Sequence, residues 1–403
     1  MLSYSTHRCA IEAPSCAIDQ YFMTRVTNVE NPFVFTRAVH PKHLIGRQEE
    51  ASALIRDALG GHYVRLTAPR RFGKTSLLTK VFETAARDHG LQCVRVDLYG
   101  VVSLADLVVR FERGYAGHLT GRLRTAIDAV MRAADLGLSL GASGFSVQLQ
   151  RNAAAIDPIP ALHAVLDLPI RIFEQTHRRC LVALDEFQSI AHVRGAEEIL
   201  RSHIELQGQE AAGYIFAGSE AGMMRQLFGE RARPLFGQAK PVTLGPLPDR
   251  DAGPFISDRF HSARRDVDPV LPNLIREARG HPQRLMLLAH LLFERTPTGS
   301  GAGPLEWQQT LDAAMDMLGD EFRGHWSAIG KSQQRVLRAI AVYGSPLTQA
   351  AQAAFGVTKG SVAGAIQGLR DRGEIEQTGY GIVDPLLERW LREKLGGPSG
   401  EVT

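Results

Sequence analysis

Thr67-Ala68-Pro69-Arg70-Arg71-Phe72-Gly73-Lys74-Thr75-Ser76 decides how the rest of the chain is read. It lies between a short β-branched and aromatic run, residues 62–67 (HYVRLT), and a helical pattern over residues 75–89. A strand, a basic loop ending in Gly-Lys-Thr and a helix make the context that a phosphate-binding loop requires. Backbone N–H groups of such a loop converge on phosphate oxygens, and the dipole of the following helix favours negative charge there. Ala68, Pro69, Arg70, Arg71, Phe72, Gly73, Lys74, Thr75 and Ser76 are therefore expected to cradle a nucleoside triphosphate, ATP with Mg²⁺. Lys74 is expected to reach the β- and γ-phosphates, and the Thr75 hydroxyl to ligate the metal. The spacing departs from GxxxxGK[ST] at one point. Ala68 stands at the first glycine, and alanine does not cheaply adopt positive φ. The bland alternative is a basic turn between strand and helix.

A second motif supports the first. Leu181-Val182-Ala183-Leu184-Asp185-Glu186 is four apolar residues followed by two acids. A buried strand delivers Asp185 to the sheet edge as a metal ligand, and leaves Glu186 placed to orient or deprotonate an attacking water. Taken alone, it could be a strand ending in an N-cap acid. Ser219, after the strand-like run 213–217 (GYIFA), is expected near the γ-phosphate or the water, or as the cap of the next helix.

The apolar runs at residues 91–98, 180–184, 213–217 and 240–244 alternate with helical patterns, which predicts a parallel sheet covered on both faces. Within the insert between the second and third strands, residues 136–150 (LGLSLGASGFSVQLQ) alternate like a hairpin. Beyond residue 246 strand signals give way to helical ones, as in residues 284–295 (RLMLLAHLLFER). The expected organisation is a tail at 1–30, an α/β core at 31–245, a helical lid at 246–327, a third unit at 328–395 and a tail at 396–403. Nothing upstream of Met23 has a structured pattern, so Met23 as well as Met1 is a candidate true start.

At 403 residues, with 44% hydrophobic and 22% charged residues, the chain has enough apolar side chains for two or three cores. A net charge of +3 permits nucleic acid without demanding it. The four cysteines, Cys9, Cys16, Cys93 and Cys180, have no metal-ligand spacing, and no apolar run reaches the length of a membrane span. A secretory signal is not legible either, so the expected compartment is the cytoplasm.

In order along the chain, these motifs resemble those of the archaeal-type ATPases, a P-loop family close to the signal-transducing ATPases with numerous domains, within the AAA+ class. The marks are Asn31-Pro32-Phe33, Ile45-Gly46-Arg47, the phosphate loop, Leu184-Asp185-Glu186-Phe187-Gln188 and Gly218-Ser219. Pro234-Leu235-Phe236-Gly237, Gly280-His281-Pro282 and Val383-Asp384-Pro385-Leu386 with Trp390 follow. The resemblance implies a P-loop NTPase core followed by a helical lid and a winged helix. It implies base contacts at Ile45, Gly46, Arg47 and Pro282, and a lid arginine, Arg284, near the phosphates. Arg233, with Arg231, is the implied finger arginine. Gln238 stands where relatives often carry arginine.

Residues 347–375 have a helix-turn-helix rhythm, and residues 374–383 (EIEQTGYGIV) supply a wing. Such a unit can place its second helix in the major groove of double-stranded DNA, with Lys359, Arg370 and Arg372 on phosphates and Ser361 and Gln367 near bases. The wing acids Glu374 and Glu376 weaken that charge pattern, and packing on a partner protein or a second copy is the competing use. The expected function is Mg²⁺-dependent ATP hydrolysis that moves lid and winged helix. Its alternative is a DNA-binding regulator or scaffold in which ATP occupancy is the signal.

Overall fold

The computed structural model describes residues 30–119, 121–133, 138–139, 146–147, 157–206, 208–356 and 359–395. The tail expected at 1–30, except its last residue, and the tail at 396–403 lie outside them.

The core alternates helices and strands: α1 (Gln48–Leu59), β1 (Val64–Thr67), α2 (Lys74–His89), β2 (Gln92–Asp97), α3 (Leu104–Tyr115) and α4 (Gly121–Ala133). The short β3 (Leu138–Ser139) and β4 (Ser146–Val147) pair antiparallel, as the alternation at 136–150 predicts, although most of that segment is not among the described residues. Then come α5 (Ile159–Leu166), α6 (Leu168–Thr176), β5 (Cys180–Asp185), α7 (Ala196–Leu206), α8 (Gly208–Ala211), β6 (Ala212–Gly218), α9 (Ala221–Gly229) and β7 (Lys240–Thr243). The main sheet has the order β2-β5-β6-β1-β7, with every adjacent pair parallel. β5 and β6 are buried along their whole lengths, which is why they read as near-continuous apolar runs.

Strand alternation then fixes which side chains meet the phosphate loop. Val94, Val96, Val182, Leu184 and Phe216 face one helical layer, with Val108 of α3 and Leu162 of α5. Leu66, Leu181, Ala183 and Ile215 face the other, against Leu54 of α1 and Leu77 of α2, and Cys93 packs on that side. Asp185 continues the row of Leu181 and Ala183. Arg95 and Asp97 continue the row of Cys93. All three therefore turn toward α2.

The helical part comprises α10 (Asp249–Ser262), α11 (Leu271–Ala278), α12 (Pro282–Arg295), α13 (Pro304–Ala328), α14 (Lys331–Tyr343), α15 (Gln349–Phe355), α16 (Lys359–Arg372) and α17 (Pro385–Leu395). An antiparallel bridge, Ile375↔Ile382, stands where the wing was expected. One cluster of buried apolar residues runs from Phe33 and Ile45 through the lid helices to Leu391. The regions expected as 246–327 and 328–395 thus share one core. α12 is apolar nearly all round because neighbouring elements surround it. Among the described residues, no helix is long and apolar enough to cross a membrane.

Contacts in several places tie this helical body to the sheet layer. The extended segment before α1 buries Phe33 between Phe260 and Phe293, at ring distances of 5.3 and 5.7 Å. Its Val39 N–H donates to Ser76 Oγ at 3.1 Å. Elsewhere α9 lies against α16, where Arg225 donates to Asp371 at 3.4 Å and to Gln377 at 2.5 Å. A side chain at Gly222 has no room, because a Cβ there would come within 2.5 Å of Asp371.

Candidate nucleotide site

A cavity of about 870 Å³ opens between the end of the sheet, the start of α2 and the helical body. Its floor is the loop from Pro69 to Ser76. The left-handed backbone of this loop falls at Arg71 (φ 67°) and Gly73 (φ 84°), and not at Ala68. Ala68 instead prolongs β1, its N–H donating to the Gly218 carbonyl at 3.3 Å. The expected penalty at Ala68 therefore does not arise. It falls on Arg71, where a non-glycine residue in this region costs roughly 1–2 kcal/mol.

Four charges meet at the floor. Lys74 Nζ donates to Asp185 Oδ1 and to Glu186 Oε1, each at 2.6 Å. Arg95 Nη2 donates to Asp185 Oδ2 at 2.5 Å. Ser219 Oγ donates to Glu186 Oε1 at 2.9 Å, and Gln188 Nε2 to Glu186 Oε2 at 2.6 Å. Burial opposes ionisation of both acids, but Lys74, helped by Arg95 at Asp185, outweighs it and holds both carboxyls below the usual range. Glu186 has φ 51°, an unfavourable backbone for a side chain. Thr75 and Asp185 line the same cavity. Together they offer a hydroxyl and an ionised carboxylate, the hard oxygen donors that suit Mg²⁺.

On the opposite wall, Ile45, Arg47 and Pro282 line the cavity, whereas Gly46 and Arg284 do not. Arg47 donates to the Gly245 carbonyl at 2.5 Å and to Glu50 at 2.8 Å, which fastens the start of α1 to the exit from β7.

Arg284 departs most from the expectation. It is 1% exposed, neither a surface residue nor a group aimed at phosphates. Its guanidinium donates to Asp384 at 2.5 Å and to Glu321 at 2.9 Å, and lies 5.4 Å from the Phe322 ring. Glu321 also accepts both guanidinium nitrogens of Arg71, at 2.5 and 3.0 Å. A chain of ion pairs thus runs from the phosphate loop through α13 and α12 to the start of α17.

Arg233 stands outside the cavity and pairs with the buried Glu197 at 2.8 Å. In the third unit Gln367 donates to Asp371, and Arg370 is committed to the wing carbonyls of Glu376 and Gly379. Arg372 is exposed, and the side chains of Lys359 and Ser361 are not among those described. Arg95, Gln188 and Glu321 have no site role in the sequence reading, although Gln188 stands in the Leu184-Asp185-Glu186-Phe187-Gln188 motif. Arg95 was visible as a charge between apolar residues of the strand-like run 91–98.

His281 caps α12, its Nδ1 accepting from Arg284 N–H at 3.3 Å, with the Phe72 ring 4.8 Å away. Burial, aided by Arg284 and Arg71, pushes its pKa down to about 4. A folded-state value below the ordinary 6.5 gives stability that is present above pH 6.5 and lost as pH falls toward 4, on the order of 3 kcal/mol. His281→Asn keeps a cap and removes the titration. Urea midpoints measured between pH 7 and 4 are expected to fall less steeply in this variant; parallel slopes would rule out His281 as the source.

No family model and no curated protein matches this sequence. Among solved structures, the chain is similar to the Walker-type ATPase PABY2304 of Pyrococcus abyssi. The match has 18% identity and a TM-score of 0.63, covering 89% of this chain and 99% of that one. The fold is that of the P-loop ATPases. It is also similar to the ORC2 protein of Aeropyrum pernix, solved as ADPNP–ADP complexes, at 16% identity and a TM-score of 0.53, covering 91% of this chain and 99% of that one. In this P-loop fold the phosphate loop and the acids that end β5 face each other across one end of the parallel sheet.

Proposed function

We propose that the chain is a Mg²⁺-dependent ATPase whose nucleotide state sets the position of its helical body. One observation carries the reading: under a phosphate loop, Lys74 is clamped between Asp185 and Glu186, at 2.6 Å from each. Two ionised acids thus hold one lysine at a helix N-terminus, where the dipole favours anions. Triphosphate draws Lys74 away, because phosphate oxygens are closer to the loop N–H groups and the dipole. Mg²⁺, held by Thr75 and Asp185, would neutralise charge developing on the phosphates. Glu186, relieved of Lys74, regains basicity while Ser219 and Gln188 hold its two oxygens in place. It then accepts the proton of the attacking water, a general-base role. Arg71 can exchange Glu321 for phosphate, and that exchange reports occupancy to the body built on α12, α13 and α17.

We read α14 to α16 with the Ile375–Ile382 bridge as the winged helix and take its output to be directed at a partner. Arg370 is engaged by its own wing and α16 is covered by α9, which favours a protein partner or second copy over duplex DNA in this conformation. The test is thermal. Saturating ATP with Mg²⁺ at about 100 times Kd is expected to stabilise the chain by about 2.7 kcal/mol, with steady phosphate release. Lys74→Ala is expected to lose both. A shift that survives Lys74→Ala sinks the assignment of the loop.

A further inference from the structure

Arg95 sits in the middle of β2, the edge strand of the sheet, between the buried Val94 and Val96, with its own side chain partly exposed. Alternation turns it toward α2, into the cavity that holds the phosphate loop. Its partner is not an idle surface acid. Asp185 is 3% exposed and is held on both oxygens, by Lys74 on Oδ1 and by Arg95 on Oδ2. The carboxylate best placed to take the metal is therefore already saturated with cations.

Resting on the ATPase reading above, we propose that Arg95 is a positioning residue that competes with Mg²⁺ for Asp185 and, once displaced, serves the phosphates as a cation from within the same chain. The physical sequence is short. A divalent ion on Asp185 repels a guanidinium at hydrogen-bond distance, and it also takes the lone pairs that Arg95 uses. The displaced side chain is 37% exposed on the cavity side, so it has space to turn. Two anions lie within its compass. One is Asp97, the next residue in the same row, whose Oδ1 already accepts the Tyr99 N–H at 3.0 Å. The other is the triphosphate, which carries more charge and would lie over the loop from Pro69 to Ser76, in the cavity that Arg95 also lines. The triphosphate wins on charge. This supplies in cis what Arg233, tied to Glu197, does not bring to the cavity.

Competition and phosphate contact have opposite signatures, and that makes the proposal testable. The full-length chain is titrated with a fluorescent ATP analogue, once in EDTA and once in excess Mg²⁺, and the ratio of the two affinities is taken. In Arg95→Ala, binding in EDTA is expected to weaken, because a cation is gone and Asp185 is less neutralised. The strengthening by Mg²⁺ is expected to grow about tenfold, since relief of the competition at Asp185 outweighs the loss of one cation among several near the phosphates. Arg95→Gln keeps a donor to Asp185 without the charge, and is expected to move the ratio in the same direction should the alanine variant fold poorly. A purely structural arginine would weaken binding equally in both buffers and leave the ratio unchanged; that result overturns the proposal. Unchanged binding in EDTA overturns it too, because Arg95 would then serve Asp97 alone. If the wild-type chain binds no nucleotide in either buffer, the ATPase reading falls and the Arg95 assignment falls with it. Wild-type binding with an unmoved ratio removes Arg95 alone.

Discussion

Glu186→Gln is expected to bind ATP at least as tightly as the wild-type chain while its turnover drops by about 10²–10⁴-fold, the usual contribution of a positioned base. The amide preserves the shape of the side chain and can still accept from Ser219 Oγ, which lies 2.9 Å from Oε1. It cannot take a proton from water. It also removes one of the two acids that hold Lys74, so the lysine is freer to meet the phosphates. Removing a negative charge beside a polyanion favours binding further. Single-turnover phosphate release separates the chemistry from product release, and thermal stabilisation by ATP reports binding. Undiminished release would remove Glu186 from the mechanism; lost stabilisation would make it a nucleotide ligand instead.

The second large effect lies away from the cavity. Arg284→Met is expected to cost about 3–5 kcal/mol, because it leaves Asp384 without the cation that holds its carboxyl below the ordinary range, while Glu321 keeps Arg71. Asp384 also caps a helix, since its Oδ1 accepts the N–H groups of Leu386 and Leu387, at 3.0 and 3.2 Å, at the start of α17. Asp384→Asn keeps that cap and removes the charge. The two substitutions share one interaction, so the double variant is expected to lose less than the sum, by about 1–3 kcal/mol. Urea unfolding of all four chains closes the cycle. Strict additivity would show that the pair is not coupled.

The sequence was most informative where chemistry forces residues into a fixed local order. The loop from Pro69 to Ser76, the Asp185-Glu186 pair after an apolar strand and the Ser219 turn are local patterns, and all line the cavity. The alternation of strands and helices was legible for the same reason. Three features were not. Arg95 looked like a strand charge until the register turned it toward α2, which needs the pairing of β2 with β5. Glu321 lies mid-helix in α13 with no neighbouring motif, and only tertiary packing brings it to Arg71. Arg284 had the composition of a surface helix residue. Its burial follows from α13 and α17 closing over α12, which no local pattern encodes. At Ala68 the pattern misled in the other direction, because glycine was expected there for a backbone shape that the loop takes at Arg71.

The segment that carries Phe33 and Val39 has a mechanical consequence. One end is anchored among aromatic rings of the helical body, the other by a hydrogen bond to the first turn of α2. Six peptide steps separate the anchors, and a fully drawn-out chain of that length spans about 20 Å. This is a leash. Were the helical body to hinge open over the cavity, it could travel only until the leash is taut, and further travel would pull either the ring from its socket or the backbone from Ser76. Since Ser76 follows Lys74 and Thr75, tension on the leash would be felt at the residues that the proposed function places on the nucleotide.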